Sequence, residues 1–567
     1  MRRTVKNTDE LLQIVDEYDA VSFDIFDTLI MRKTLLPEDV FAIAEQKLAG
    51  QGCFCDFVLN RKRAILENTT ANPNINEIYD HFAKISDLSV SECQVLMQLE
   101  LELERKVLVS RRTVVEALKR IHNMGKPVFL ITDMYLPADI IEEILAGLGV
   151  TDYDDLLVSC DYRTLKTENL FSVYRKKHPY NRYLHIGDNL NSDIECAEKN
   201  GIDTVYLPSA LNAFREHDKK GLIPQANTVY KRNMLGFMLA DLYNDPFALP
   251  KEREWHIQDV AMITMAPIVF CMVAKLKRIV EERHYGKILF AARDGYLLKK
   301  LYDEIKGEND PEAVYFYTSR RAVTNISCEN EHQILWLANL PYSYEKEKIL
   351  KNVFGLSDTE YNEKEEFNTN ILNYKAEIMR ISNERKENYR KYLHNIGVGG
   401  DTYLFVDLVS SGTCQMYIDR LIDGELAGYY LCKLKTDEQA KESLNYSSLY
   451  KPVPIGDETY SFYKLYYLFE SVLTSGEPSL DCFDREGKPI FLAETRSAEE
   501  INQVESLQSS LEGYFREMWY LCDGMREPAE LFADRLIEFW RENIRECKIN
   551  VNLQDDWMGT QIIVNDI

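Results

Sequence analysis

Five polar residues follow short apolar runs in the first two hundred positions. They are Asp24 in "AVSFDI", Thr132 in "FLITDMYL", Lys166 in "RTLKTENLF", and Asp188 and Asp193 in "HIGDNLNSD". An aspartate carboxylate can attack phosphorus and carry the phosphoryl group as an acyl phosphate. The attack on a phosphate dianion needs its charge neutralised, which a lysine ammonium, a threonine hydroxyl and a metal provide. Asp188 and Asp193, with Asp24, offer the hard oxygen ligands that Mg2+ prefers, with water and substrate oxygen completing its octahedron. Each residue alone is a common strand terminus. The set, on one sheet edge, specifies phosphoryl chemistry.

The elements that must hold these residues are visible as runs of Val, Ile, Leu and aromatics at 20–25, 127–132, 155–159, 182–188 and 203–207. Helical stretches lie between them, which is the pattern of a parallel α/β sheet. About a hundred residues between the first two runs carry no strand pattern. Within them Pro37-Glu38-Asp39 opens a helix that Gly50 closes. Ser89 and Glu92 have the spacing of a capping box. This insert, about 33–110, reads as a helical cap over the sheet's carboxyl edge, where ligands of open α/β sheets bind. A polar seam with Pro and Gly at 211–225 separates a domain at 1–210 from a second α/β domain at 226–567. The second has strand-like runs within 287–305, 313–324, 402–422 and 426–434, and a charged helical insertion at 344–395. From 500 it is mostly helical and ends in the apolar "QIIV" at 561–564.

Over roughly residues 15–210 these motifs resemble those of the haloacid dehalogenase-like (HAD) superfamily: "FDIFDTL", "ITD", the lysine of "LKTENLF", and "GDNLNSD". The resemblance implies a Rossmannoid parallel sheet with a helical cap inserted after the first strand. It makes Asp24 the nucleophile, Thr132 the phosphate-binding hydroxyl and Lys166 the charge stabiliser. Asp188 would ligate magnesium, Asp193 would be a second ligand or its support, and the backbone carbonyl of Phe26 would face the same ion.

Phe26 is the departure. In most phosphatases of the superfamily this position holds an aspartate that protonates the leaving alcohol, help worth ~10²–10⁴-fold. Four accounts stay open. Another group, such as Asp27, Asp133 or a cap residue, supplies the proton. The substrate leaves without a proton, as acyl phosphates and anhydrides do; the phosphonate-cleaving branch and the cation-pumping ATPases also lack this aspartate. The domain binds phosphate but turns over poorly. Or the site dehalogenates, since dehalogenases carry an aromatic residue here. Asp27 also reads as a turn residue, Asp133 as a helix N-cap, and His185 as a core histidine.

In the second half, "FVDLVSSGTCQM" follows a strand and precedes a helix. Asp407, Ser410, Ser411, Gly412 and Thr413 there loosely resemble the ribose-phosphate loop of phosphoribosyltransferases, although Val406 replaces an acidic residue and Thr413 directly follows the glycine. Arg293, Asp294 and Gly295 of "FAARDGYLL" would be the earlier pyrophosphate loop, and Arg320 and Arg321 of "TSRRA" end another strand. The alternative is a phosphate-sugar-binding or scaffold protein, or glycosyl or phosphoribosyl transfer in this domain. Tyr463, Tyr466, Tyr467 and Glu470 share helical spacing, a core-packing pattern.

At 567 residues two or three domains are expected. The net charge of −25 argues against a general nucleic-acid footprint. The start lacks a secretory core, and the apolar run at 260–276 is shorter than the ~20 residues a bilayer requires and contains Pro267. Twelve cysteines lack paired metal spacing, Cys53 and Cys55 being too close for zinc. A cytoplasmic location is expected. The whole chain looks like large bacterial HAD-type proteins that accompany glycosyltransferases of surface-polysaccharide synthesis. That likeness implies a small, sugar-derived phosphorylated substrate and a glycosyltransferase partner.

Overall fold

The computed structural model describes every residue except 1, 4, 51, 53–55, 249, 251–254, 357–359, 523–526, 544–547, 556–559 and 567. Cys53 and Cys55 lie outside the described residues. The nine cysteines within them form no disulfide with one another.

The chain forms two compact α/β units. One comprises Met1–Glu254, Met518–Phe532 and Arg541–Arg545, and the other the remainder. The first holds a parallel sheet of β1 (Arg2–Arg3), β2 (Ala20–Phe23), β5 (Val128–Thr132), β6 (Asp155–Val158), β7 (Tyr183–Gly187) and β8 (Asp203–Tyr206). Their order across the sheet is β1-β8-β7-β2-β5-β6. Strands β2, β5 and β7 are buried on both faces, as a sheet covered by helices requires. The order reverses between β2 and β7, because β5 and β6 add on one side of β2 and β7 and β8 on the other.

The cap is built of helices Asp39–Gly50, Phe57–Leu66, Ile75–Ile85 and Val90–Val107. The chain enters it through β3 (Ile30–Arg32) and leaves through β4 (Leu108–Ser110), which pair antiparallel. Ser89 and Glu92 form the capping box that opens the last of these helices, as the sequence predicts. Inside the cap Arg61 is fully buried and donates to both Glu100 oxygens at 2.7 and 2.8 Å, while Tyr79 donates to one of them at 2.8 Å.

The first unit extends past the seam at 211–225, which instead contains the helices Ala210–Arg215 and Leu222–Gln225. The next helix, Val229–Leu242, holds to this unit. Arg232 pairs with Asp39 at 2.7 Å, and Gly236 sits so close to the Lys33 carbonyl that any side chain would overlap it. Asn244 then donates to the Ser110 carbonyl at 3.0 Å. This helix is buried nearly all round, so its apolar pattern does not show which neighbour it joins.

The second unit's sheet is also parallel throughout: β9 (Lys287–Ala291), β10 (Glu312–Phe316), β11 (Thr402–Ser410), β12 (Glu425–Lys435) and β13 (Tyr446–Pro454), in the order β10-β9-β11-β12-β13. Here the reversal lies between β9 and β11. The first four strands fall on the predicted runs. The fifth, "YSSLYKPVP", is an edge strand, where proline is tolerated. The insertion at 344–395 is helical, ending in Lys375–Asn395, and packs around Ile334, Leu350 and Ile371.

The apolar run at 260–276 belongs to a longer helical stretch, Ile257–Glu282, whose length and composition would suit a bilayer but whose most apolar window is 78% buried. Pro267 sits near the start of its regular part, after a widened π-turn at Ala261–Met265 that accommodates the missing N–H. The tyrosines at 463, 466 and 467 lie on a half-buried face, Tyr463 and Tyr466 stacking at 5.3 Å. Phe462, Leu465, Leu468 and Phe469 supply the core face instead.

Candidate active site at the first strand reversal

Asp24 directly follows β2. Its N–H donates to the Ile186 carbonyl at 2.9 Å, extending the ladder by one residue and placing Asp24 beside the end of β7, where Asp188 follows. Thr132 closes β5, the neighbour on the other side, and is buried. Lys166 arrives from the turn after β6. That turn is held by Asp133, whose Oδ1 accepts the Lys166 backbone N–H at 2.9 Å. Asp133 is therefore engaged in positioning the lysine.

Lys166 is 2% exposed, and its Nζ donates to Asp24 Oδ1 and, at 2.7 Å, to Asp193 Oδ1. The turn at Leu190–Glu195 is a π-turn, a local widening frequent at functional sites. It aims Asp193 back at the sheet, where Oδ2 accepts the Asn189 N–H at 2.9 Å. Gly187 makes room for this: a Cβ there would stand 2.5 Å from that of Asp193. Oxygens of Asp24, Asp188 and Asp193 lie within 4.8 Å of one another.

The charges follow from burial and neighbours. Burial pushes Asp24 up to about 7 against the pull of Lys166. Burial, with the charges of Asp24, Asp27 and Asp193, pushes Asp188 up to about 9. Burial also opposes ionising Asp193, but Lys166 and then His185 hold it well below the usual carboxylate range. Lys166 stays charged because Asp193, Asp24 and Asp133 outweigh the cost of its burial. Three carboxyl groups share one ammonium, and the raised values of Asp24 and Asp188 record the cost of ionising buried, mutually repelling acids, a cost that a divalent ion on these hard oxygen donors would offset. That donor set fits a divalent ion such as Mg2+.

Around Phe26 the sequence gives less warning. The Arg32 guanidinium lies 4.8 Å from the centre of the Phe26 ring and is itself paired with Glu104 of the cap. Asp27 adopts the left-handed region, φ 65°, with its N–H on the Ile30 carbonyl at 2.6 Å. Its carbonyl accepts from Arg111 Nη1 at 2.7 Å. Burial raises the Asp27 carboxyl against the opposing charges of Arg32 and Arg111, and its own charge reaches Asp188. Arg111 is wholly buried, and its Nη2 has no hydrogen-bond partner. Nothing in "SRRT" marks it as unusual, since a buried arginine has no signature in spacing. His185 is buried in β7, with Nδ1 2.9 Å from Ser22 Oγ and Nε2 3.5 Å from Asp193 Oδ1. It is a core residue that also supports the site.

In the second unit, Asp407 in β11 aligns with the last residue of β9 by continuation of the register Val406 to Phe290. Asp294 stands three residues beyond that strand, and each residue is within electrostatic reach of Arg320. Arg293 is turned away, onto Thr474 at 3.4 Å and Ser479. Arg321 is tied to Asp481 at 2.5 Å and to the Asn352 carbonyl. In the loop after β11, Gly412 takes φ 87° and donates its N–H to Ser410 Oγ at 3.2 Å, while the Ser411 and Thr413 hydroxyls lie 3.2 Å apart.

No family model matches the sequence, and no curated protein matches it. Among solved structures, the chain is similar to a hydrolase from Streptococcus pneumoniae TIGR4, at 22% identity over 35% of this chain and 98% of that one, with a TM-score of 0.23. It is also similar to a HAD phosphatase from Thermococcus onnurineus at 19% identity, covering 33% and 86% of the two chains, with a TM-score of 0.25. L-2-haloacid dehalogenase from Xanthobacter autotrophicus is similar at 15% identity, covering 37% and 84%, with a TM-score of 0.26.

Proposed function

We propose that the first unit is a HAD-type phosphohydrolase acting on a small phosphorylated metabolite through an aspartyl-phosphate on Asp24. The observation that carries this is the buried ion-paired set of Asp24, Lys166 and Asp193 beside Asp188, at the reversal of strand order where open α/β sheets bind ligands. Thr132 and Lys166 hold the phosphoryl oxygens. Asp24 attacks phosphorus as the bond to the leaving oxygen breaks. Water then attacks the acyl phosphate, releasing phosphate and restoring the carboxylate. Mg2+ would be held by Asp24, Asp188 and the Phe26 carbonyl, with Asp193 as further ligand or support, and would neutralise the phosphate's charge.

The phenyl ring of Phe26 cannot protonate a leaving group. Substrates whose leaving group is already a weak base, acyl phosphates above all, therefore suit the site best. A second reading assigns the proton to Asp27, whose carboxyl burial pushes upward against the opposing charges of Arg32 and Arg111.

Phosphate release is to be measured with Mg2+ from acetyl phosphate and from alkyl phosphate esters, using wild type, Asp24→Asn and Asp27→Asn. The proposal expects acetyl phosphate to be cleaved by wild type and not by Asp24→Asn. It fails if no phosphorylated compound is turned over faster by wild type than by Asp24→Asn. If Asp27→Asn slows the esters and spares acetyl phosphate, Asp27 is the acid.

A further inference from the structure

The reversal between β9 and β11 in the second unit carries groups that the chemistry above does not use. Asp407 is 9% exposed, with Oδ1 accepting the Leu408 N–H at 2.9 Å. Asp294 follows β9 on a turn that needs two special residues. Arg293 takes φ 69°, and Gly295 cannot carry a side chain, because its Cβ would lie 2.7 Å from the Ala291 carbonyl. Burial, and after it the charge of Asp407, push Asp294 up to about 7. A third strand contributes Thr318, just beyond β10. Thr318 is 5% exposed, and its hydroxyl has no hydrogen-bond partner. It neighbours the Cys414 thiol, which itself feels Asp407, Arg320 and Asp294.

The Leu408 N–H and Ser410 use only part of the acceptor capacity of Asp407, which together with Asp294 and the unpartnered Thr318 hydroxyl leaves positions for a ligand's hydrogen bonds. A cationic ligand would be repelled by Arg293 and Arg320, whose charges already offset the pair. A bare divalent ion would find only these two acids, since the one group of three or more metal-ligating residues among the described residues is that of the first unit. Neutral hydroxyl donors meet neither obstacle. Arg320 is exposed and close enough to affect both acids, so a negative group on the same ligand has a partner at the mouth. Tyr296, 37% exposed and packed edge-on to Tyr315 at 6.0 Å, offers an apolar ring face of the kind sugars stack on.

We propose that the crevice between β9 and β11 binds a polyhydroxyl compound bearing an anionic group, with hydroxyls donating to Asp294 and Asp407 and the anion reaching Arg320. The site is independent of the phosphoryl chemistry of the first unit.

Calorimetry on the full chain carrying Asp24→Asn tests this with probes that hold no phosphoryl group. These are gluconate, glucuronate and galacturonate as anionic polyols, glucose as a neutral one, and acetate as an anion without hydroxyls. The expected result is saturable binding of at least one anionic polyol, with glucose weaker and acetate not competing. Asp407→Asn should weaken that binding about tenfold or more, and Arg320→Gln should remove the preference over glucose. The exposed Arg320 variant carries the test alone if Asp407→Asn does not fold. The proposal is overturned if no anionic polyol binds at millimolar concentration. It is equally overturned if the folded variants bind as wild type does, or if Mg2+ alone binds and is lost in Asp407→Asn.

Discussion

In the first unit the reversal of strand order is flanked by Asp24 and Asp188; in the second it is flanked by Asp294 and Asp407. The topology is shared and the charges differ. The first site inserts a buried ammonium, Lys166, between Asp24 and Asp193, and still keeps more carboxylates than cations. That suits a dianion delivered together with a divalent ion. The second site offsets its acids with Arg293, turned aside onto Thr474 and Ser479, and Arg320, exposed at the surface. It leaves the carboxylates as acceptors for neutral donors. A strand reversal supplies a crevice; the cation beside the aspartates decides what enters it.

The largest effect that separates the two sites follows from Lys166→Met. It strands two buried carboxylates, so phosphate release should fall by about 10²–10³-fold. Calorimetric or chemical unfolding should show the first unit losing about 3–5 kcal/mol. Adding Asp24→Asn to this variant should restore part of that stability. If Lys166→Met leaves stability unchanged, the contrast between the sites is wrong.

Phe26→Asp places a carboxyl where the sequence departs from the phosphatase pattern. Hydrolysis of alkyl phosphate esters should rise by about 10²-fold while acetyl phosphate changes little, read as kcat/KM for each. An equal rise on both substrates would show that proton delivery does not limit the wild type.

Asp294→Asn acts in the opposite direction from Lys166→Met. The folded-state value of about 7 lies above that of an unfolded aspartate, near 3.8. Wild type therefore loses stability as pH rises from about 4 to 7, where the unfolded chain ionises this group and the folded one does not. The asparagine variant escapes that loss. Its melting temperature should match wild type near pH 4 and exceed it by neutral pH, equivalent to on the order of 1–3 kcal/mol. A difference that is constant with pH would contradict the buried pair. The smallest effect is Thr318→Val. Replacing an orphaned buried hydroxyl by a methyl should stabilise the second unit by about 0.5–1 kcal/mol in denaturant titration.

Much of this was legible from residue type and spacing. Asp24, Thr132, Lys166, Asp188 and Asp193 each follow a strand-like run, and the sheet brings Asp24, Asp188 and Asp193 together with Lys166. The cap helices announce themselves through Pro37 and the Ser89–Glu92 box. What escaped was decided by packing. Arg32 over Phe26 and the buried Arg111 depend on where the chain leaves and re-enters the sheet. Val229–Leu242 is apolar on every face, so its membership of the first unit rests on Arg232, Gly236 and Asn244. The pairing of Asp294 with Asp407 needs strand order, which no local pattern encodes.

The central claim is that Asp24 carries the phosphoryl group. The full chain is to be mixed with acetyl phosphate and Mg2+, quenched in acid and digested, and the peptide containing Asp24 examined by mass spectrometry. The account predicts one phosphoryl adduct on Asp24, sensitive to hydroxylamine as an acyl phosphate is, and none in Asp24→Asn. Phosphate release by wild type with no adduct on Asp24, and the same rate in Asp24→Asn, would contradict it.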